Sequence, residues 1–365
     1  MPSADGTLPL LSRIDRTAEW MRGTGPLADI VLTCRVRLAR NLAGCCFPPR
    51  CDDETLIAIA ERAAAVHSCS RALAPFEFVR MQELTELERY ALVDRYLCSR
   101  EHVAQPVGRA LVLDRSGSLS VMINEEDHFR IQALYSGLQL ETAYRVCAGL
   151  EEVLESALGF AFSEKWGYLT ACPTNVGTGL RASAMIHLPG LTETGRLDEV
   201  LTAAANAGLA VRGLYGEGTE AHGSLHQFSN QVTLGRSEEE LVAELSSSCK
   251  QIAAAERDAR AALHRKSPLL LDDHVARAYA TLRYARSVTS REALDCLSWL
   301  RWGAEIDLAR GLDRQTLNEL IIWIRPGVQQ VLHTRRLPAE ERDVLRASLL
   351  RKRFEQVELS EKLSS

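Results

Sequence analysis

Residues 110–123 read ALVLDRSGSLSVMI. Two apolar runs flank Arg115-Ser116-Gly117-Ser118, and a short polar turn with a central Gly between such runs predicts a β-hairpin. An antiparallel sheet follows. Outward from the hairpin, residues 29–39 (DIVLTCRVRLA), 166–173 (WGYLTACP), 182–189 (ASAMIHLP) and 230–235 (NQVTLG) are further β-rich runs bounded by Gly, Pro, Asn or Asp. Between them, residues 53–68, 85–97, 141–158 and 194–208 place apolar side chains at threes and fours behind Asp, Thr or Ser, which predicts helices. This part of the chain reads as α+β, an antiparallel sheet flanked by helices.

From Ser237 the strand signals stop. Residues 238–265, 275–287, 290–302, 314–324 and 338–356 are successive helical patterns, with turns near Lys266-Ser267-Pro268, Ser287 to Ser290, Gly311 and Pro326-Gly327. The expectation is a first domain over 1–265 followed by an all-helical C-terminal domain over 266–365. No low-complexity linker separates them, so they are expected to pack together.

The chain has 365 residues, with 43 Lys plus Arg against 48 Asp plus Glu, a formal charge of −5. That balance gives no overall electrostatic reason to bind nucleic acid or an anionic membrane. No apolar run approaches membrane-spanning length, and the opening MPSADGTLPLLSRIDRTAEW lacks the pattern of a secretory signal, so a soluble cytoplasmic protein is expected. The ten cysteines are scattered without a CxxC pair. Cys45, Cys46 and Cys51 have no His at a zinc-ligand spacing, and no structural metal is expected.

Four segments stand out from ordinary core. In TCRVRLAR, residues 33–40, alternation puts Arg35 and Arg37 on one face, where they are either solvated or gathered around an anion. In NEEDHFR, residues 124–130, three adjacent acids favour a cation or proton chemistry, while Glu126 and Arg130 also suit a plain i,i+4 helix pair. In CPTNVGTGLRAS, residues 172–183, two glycines let backbone approach a ligand and Arg181 is available for phosphate, but the Walker GK[ST] is missing and Cys172 alone reads as an inert thiol. RGLYGEGTEAHG, residues 212–223, is a Gly-rich loop with two carboxylates.

Together and in this order, the four segments resemble the ATP:guanido phosphotransferases, the family of creatine and arginine kinases. CRVRLARNL, SVMINEEDHFRIQAL, GYLTACPTNVGTGLRASAMIHLPGL and RGLYGEGTEAHGSLHQFSNQVTLG are most similar to the bacterial branch that phosphorylates protein arginines, and the resemblance covers nearly the whole chain. It implies a guanido-kinase catalytic domain using ATP and Mg2+. Arg35, Arg37, Arg130 and Arg181 match arginines around the nucleotide phosphates, within stretches that also bring Thr33, Cys34 and Val36, and Ala182, Ser183, Ala184 and Met185. A fifth family arginine falls on Tyr215, and Arg212, at the head of Gly213, Leu214, Tyr215, Gly216 and Glu217, is the expected replacement. His102 matches a nucleotide contact. Glu126 matches the carboxylate that takes the acceptor's proton, Glu125 holds Mg2+ through water, Glu217 or Glu220 is the second carboxylate, and Cys172 is the reactive cysteine.

In the helical half, Arg342-Asp343-Val344-Leu345-Arg346-Ala347 reads unaided as an exposed, ion-paired helix. The resemblance implies instead an allosteric phosphoarginine pocket built from Arg342, Asp343, Arg346 and Ala347, in a domain that also dimerises. It further implies arginine-containing protein substrates, a zinc-binding activator, a Clp-type protease, a role in stress response and a homodimer. Two rival readings are a metabolic kinase acting on free arginine and a non-catalytic phosphoarginine-binding adaptor. Against the first stand the expected lack of a separate helical N-terminal domain and the added C-terminal helices.

Overall fold

The computed structural model describes residues 17–213 and 222–360. Its strands are β1 (Val31–Arg40), β2 (Glu77–Arg80), β3 (Ala110–Leu113), β4 (Leu119–Ile123), β5 (Phe129–Ser136), β6 (Phe162–Ser163), β7 (Gly167–Tyr168), β8 (Leu180–His187), β9 (Leu209–Gly213), β10 (Leu225–Asn230), β11 (Ala309–Arg310) and β12 (Glu358–Leu359). Its helices are α1 (Asp53–Cys69), α2 (Glu86–Asp94), α3 (Arg100–Ala104), α4 (Leu140–Leu158), α5 (Pro189–Glu193), α6 (Leu197–Asn206), α7 (Glu238–Lys266), α8 (Pro268–Tyr284), α9 (Ser290–Glu305), α10 (Arg314–Trp323), α11 (Pro326–Leu332) and α12 (Ala339–Arg353).

Eight strands form one antiparallel sheet in the order β2-β3-β4-β5-β1-β8-β10-β9. The hairpin β3–β4 turns where the sequence places it, with Gly117 at φ 65° and the Asp114 carboxylate accepting from the Ser118 and Leu119 amides. Along β1, Cys34, Val36 and Leu38 are fully buried against helices such as α4 and α7, while Thr33, Arg35 and Arg37 between them point to the other face. That period of two gives the sheet a helix-covered apolar side and an arginine side.

Two expected strands are corrected. Residues 230–235 contribute only Asn230 to a strand, and the partner of β8 is Leu225–Asn230. The rest of NQVTLG is a loop in which the Thr233 hydroxyl donates to the carbonyls of Thr174 and Val176, so its β-branched residues clamp a neighbouring loop. Of WGYLTACP, only Gly167 and Tyr168 pair. Against the expectation that strands end at Ser237, β11 and β12 pair within the helical half.

Helix α7 runs unbroken over 29 residues, opened by a capping box between Ser237 and Glu240 and stopped before Pro268. The helical half then packs onto the sheet: Leu32 of β1 and Leu225 of β10 share one core with Leu271, Leu294, Leu320 and Phe354. No helix of the described residues is long and apolar enough to cross a membrane.

Arg346 overturns an expectation. It is 1% exposed, its Nε donating to the Ile324 carbonyl at 2.7 Å and its Nη1 to the Val288 carbonyl at 2.8 Å and to Asp343 Oδ1 at 2.5 Å. Ala347 is equally buried in the core. The exposed helix that the residues alone suggest is thus buried at these two positions, whereas Arg342 and Asp343 are partly exposed. The fork of Arg346 ties the end of α10 and the approach to α9 onto α12, using polar groups that an apolar core would leave unsatisfied. Arg346→Ala should therefore cost about 3 kcal/mol in chemical denaturation, with Arg342→Ala close to neutral. A loss below about 1 kcal/mol for Arg346→Ala would release the residue from this clamp.

Candidate functional site

Cross-strand register assembles the site. Arg37 on β1 stands opposite Arg181 on β8, Arg35 opposite Ser183, and Thr33 opposite Met185. On the other flank, β5 sets Arg130 against Ala39 and Gln132 against Arg37. Beyond β8, Gln227 of β10 faces Met185 on one side and Arg212 of β9 on the other. Because side chains alternate between faces, Arg35, Arg37, Arg130, Arg181 and Arg212 share one surface of the sheet.

Polar partners from the described residues reach several of these cations. Among them, Arg130 bonds Glu125 Oε1 at 3.0 Å and Glu126 Oε2 at 3.3 Å, while Arg35 has Gln227 Oε1 at 3.5 Å and Arg181 the Ser229 hydroxyl at 3.4 Å. Arg37 Nε is buried with no hydrogen-bond partner. Burial, then repulsion from Arg130 and Arg181, presses Arg35 down to about 10. Burial followed by Arg35, Arg130 and Arg181 holds Arg37 well below the usual guanidinium value. Arg35, Arg37 and Arg212 line a cavity of about 280 Å³ whose opposite end is apolar, with Trp20, Leu134, Leu225 and Ile321. A polyanion joined to a flat apolar group fits such a cavity.

The acidic triplet splits in three directions. Glu125 is buried, taking the Ser99 hydroxyl at 2.6 Å and Arg130; although burial works the other way, Arg130, Ser99 and the Glu126 amide lower its pKa. Asp127 is fully buried and accepts from the Asn41 amide at 2.6 Å and the Ala171 backbone N–H at 2.7 Å. Only Glu126 remains open, with a side chain 42% exposed and a pKa raised by partial burial and by Asp127 and Glu125 against the pull of Arg130. Asp127 thus fixes the approach to Cys172, which is half-buried with its Sγ 3.0 Å from the Thr174 hydroxyl. The Glu126–Arg130 pair exists, but across a turn into β5 and not along a helix.

Several expected site residues land elsewhere. Cys34, Val36, Ala182 and Ala184 are the alternate residues of β1 and β8 and belong to the helix-side core. Burial pushes the Cys34 thiol up to about 12. His102 is fully buried with Nε2 3.1 Å from the Ala110 carbonyl, does not line the cavity, and burial carries it down to about 3. The two loop glycines serve the chain itself. A Cβ on Gly177 would meet the Thr233 carbonyl at 2.2 Å, and one on Gly179 the Arg40 guanidinium at 2.5 Å. Gly213 ends β9 at the cavity, while Leu214, Tyr215, Gly216, Glu217 and Glu220 lie outside the described residues. No group of three or more His, Cys, Asp or Glu able to hold a metal occurs among the described residues.

Sequence reasoning missed the supporting residues. Asn41, which also accepts the His128 amide at 2.9 Å, stands just beyond the arginine strand, and Ser99 caps α3. Adjacency to the motifs was their only signal. Trp20 and Ile321 carry none, since they reach the cavity through tertiary packing.

Residues 58–259 match the family model described as ATP:guanido phosphotransferase, C-terminal catalytic domain, and residues 268–365 the model described as protein-arginine kinase McsB C-terminal domain. The chain is 46% identical over 347 residues to a protein-arginine kinase of Moorella thermoacetica, covering 93% of this chain and 97% of that protein. It is 43% identical over 337 residues to one from Halothermothrix orenii, covering 92% and 96%. Among solved structures, the duplicated taurocyamine kinase of Schistosoma mansoni with bound transition state analog components superposes with a TM-score of 0.59 at 27% identity, over 68% of this chain and 35% of that longer one. A lombricine kinase shares the fold, with a TM-score of 0.58 at 23% identity over 68% of this chain and 72% of that one.

Mutual repulsion on the arginine face yields a prediction independent of turnover. Arg37→Met removes a poorly compensated buried charge, so the protein alone should gain about 1–3 kcal/mol in denaturation. Inorganic tripolyphosphate should stabilise the parent by binding the folded state and should lose most of that effect on the variant. A destabilised variant that still responds fully to tripolyphosphate would show Arg37 to be a structural residue.

Proposed function

This chain belongs to the ATP:guanido phosphotransferase family, and we propose that its arginine face serves a protein-arginine kinase, which transfers the γ-phosphoryl group of ATP to the guanidinium of arginine side chains in proteins. The observation that carries the reading is the set of five arginines on one sheet face beside the open carboxylate of Glu126. The buried, unpartnered Nε of Arg37 and the cavity's apolar end fit a nucleotide triphosphate. Bound there with Mg2+, ATP supplies the phosphoryl group and a leaving diphosphate.

Arg35, Arg37, Arg130, Arg181 and Arg212 hold the phosphates and offset the charge that shifts among their oxygens during transfer. An acceptor guanidinium, with a pKa above about 12, is protonated and cannot attack. Glu126 receives its proton, and the raised pKa of this carboxylate makes it a stronger base than an ordinary glutamate. Glu125, held by Ser99 and Arg130, is the residue that would hold Mg2+ through water, which would supply positive charge beside the phosphates. Cys172 aligns the acceptor, and its approach is fixed through the Ala171–Asp127 bond. A carboxylate from the 214–221 loop, Glu217 or Glu220, completes the grip on the acceptor.

The same reading includes 1–265 as the catalytic domain and 266–365 as the regulatory and dimerisation domain. By family analogy it extends to a zinc-binding activator, a Clp-type protease, a stress-response role and a cytoplasmic setting. Phosphorylation turns a guanidinium from cationic to net negative, which suits a mark read by other proteins.

Two measurements test this. With ATP and an arginine-rich protein, Glu126→Gln should lose phosphoramidate formation by at least about 100-fold while nucleotide affinity is kept, whereas Arg181→Lys should weaken both, because a point charge cannot reproduce a bidentate fork. Parallel loss of affinity in Glu126→Gln would make it a nucleotide ligand. The parent's kcat/KM should fall as pH drops through the raised Glu126 pKa, since protonation removes the base, so the acid limb should lie above the ordinary carboxylate range. A limb within that range would remove Glu126 from the proton transfer.

A further inference from the structure

The cavities, charged clusters and thiols outside this site include one pair of sulfurs in contact. Cys46 Sγ lies 2.8 Å from Cys51 Sγ, on an exposed loop folded back by Pro48 and Pro49. Cys46 is exposed, and the Cys51 thiol, half-buried, also donates to the carbonyls of Cys46 and Phe47. No other pair among the described cysteines is recorded in contact. The adjacent Cys45 is partly buried against the main core.

We propose that Cys46 and Cys51 are a reversible dithiol–disulfide site that takes hydroperoxides as its oxidant, separate from Cys172. Burial and the neighbouring Cys46 push the Cys51 thiol up to about 12, so the exposed Cys46 meets the oxidant and Cys51 resolves. The Cys46 sulfur, as thiolate, attacks one peroxide oxygen and the O–O bond breaks. The other peroxide oxygen leaves with the proton of the Cys46 thiol, as water from hydrogen peroxide or as an alcohol from an organic hydroperoxide, and Cys46 becomes a sulfenic acid. The Cys51 sulfur then attacks that sulfur, the S–O bond breaks, and water leaves with the Cys51 proton. Two thiols are oxidised by two electrons while one hydroperoxide is reduced, and a thiol reductant reverses the bond.

The loop is part of the frame of the candidate site. Phe47, inside the ring that the disulfide would close, meets the His128 ring edge-on at 6.4 Å. Asn41, upstream on the same segment, holds both Asp127 and the His128 amide. A covalent ring here therefore alters the segment that seats the acidic turn. The inference stands on the thiol geometry and holds whether or not the kinase mechanism above does.

The test uses the full chain with Cys172→Ser, treated with hydrogen peroxide, blocked with iodoacetamide and digested with trypsin, which cuts between Arg50 and Cys51. Peptide 41–50 should appear joined to peptide 51–62 in most molecules, with the link gone after dithiothreitol. Cys45→Ser should keep the link. Cys51→Ser should instead leave a Cys46 sulfenic acid that dimedone traps, with the circular dichroism of the parent confirming the fold. The proposal is overturned by over-oxidation of Cys46 with Cys51 still reduced, by a link that runs through Cys45, or by no reaction at either thiol.

Discussion

Repulsion among guanidiniums on one sheet face is the constraint around which the rest of this protein is arranged. The antiparallel register of β5, β1, β8, β10 and β9 fixes their spacing, so the arginines cannot move apart without breaking the sheet. Among the described residues, Arg130 has close carboxylates in Glu125 and Glu126. A face built for stability would carry more ion pairs or apolar residues; this one keeps Arg37 unsatisfied. Under the proposed function a phosphate chain would fill that deficit, and strain retained without the ligand would become affinity when it binds.

A second layer of polar residues makes the open ones useful. Arg40, on the helix side of β1, bonds Glu151 of α4 and the Thr178 carbonyl, and stacks over Tyr168 at 3.5 Å. It thereby pins the loop that leads from Cys172 into β8. Asp127 does the equivalent for the other end of that loop, through Ala171. His128, which accepts the Leu42 amide through Nδ1 and which burial brings down to about 4, stays neutral and holds the turn without adding charge. Glu126 is left with freedom because its neighbours have none.

Much of this was legible in the sequence, and the failures share a cause. Alternation along TCRVRLAR is local, so Arg35 and Arg37 could be placed on one face before any partner strand was known. Applying the whole stretch as a site ignored the same alternation, which sends Cys34, Val36, Ala182 and Ala184 into the core. The family resemblance supplied the company of Arg130 and Arg181, which no local pattern contains, since register is set by pairing across distant segments. The misread strand at 230–235 has the right residue types, but β-propensity describes a pleated, half-buried surface and not the tertiary partner that uses it. Arg346 and His102 look like ligand contacts by type, and only the structure reveals that Arg346 spends its guanidinium on the Ile324 and Val288 carbonyls and that His102 points its Nε2 at the Ala110 carbonyl.

The two halves meet at the candidate site, and this bears on how the second half can act. Ile321 of α10 stands at the apolar end of the cavity, and Ile322 packs with Trp20 and Leu134 beside it. The Asn318 side chain donates to the Met21 carbonyl, so α10 also holds the segment that carries Trp20. At the other side, Asp295 of α9 accepts the Gly223 amide at 2.6 Å. A displacement of α9 or α10 therefore reaches both the cavity wall and the start of the segment that leads into β10 by direct contact. The arginines themselves sit on β1, β5, β8 and β9, so such a displacement leaves their register intact. Under the proposed function, influence from the helical half would fall on how nucleotide and acceptor are enclosed, and the arginine charge would stay a property of the sheet.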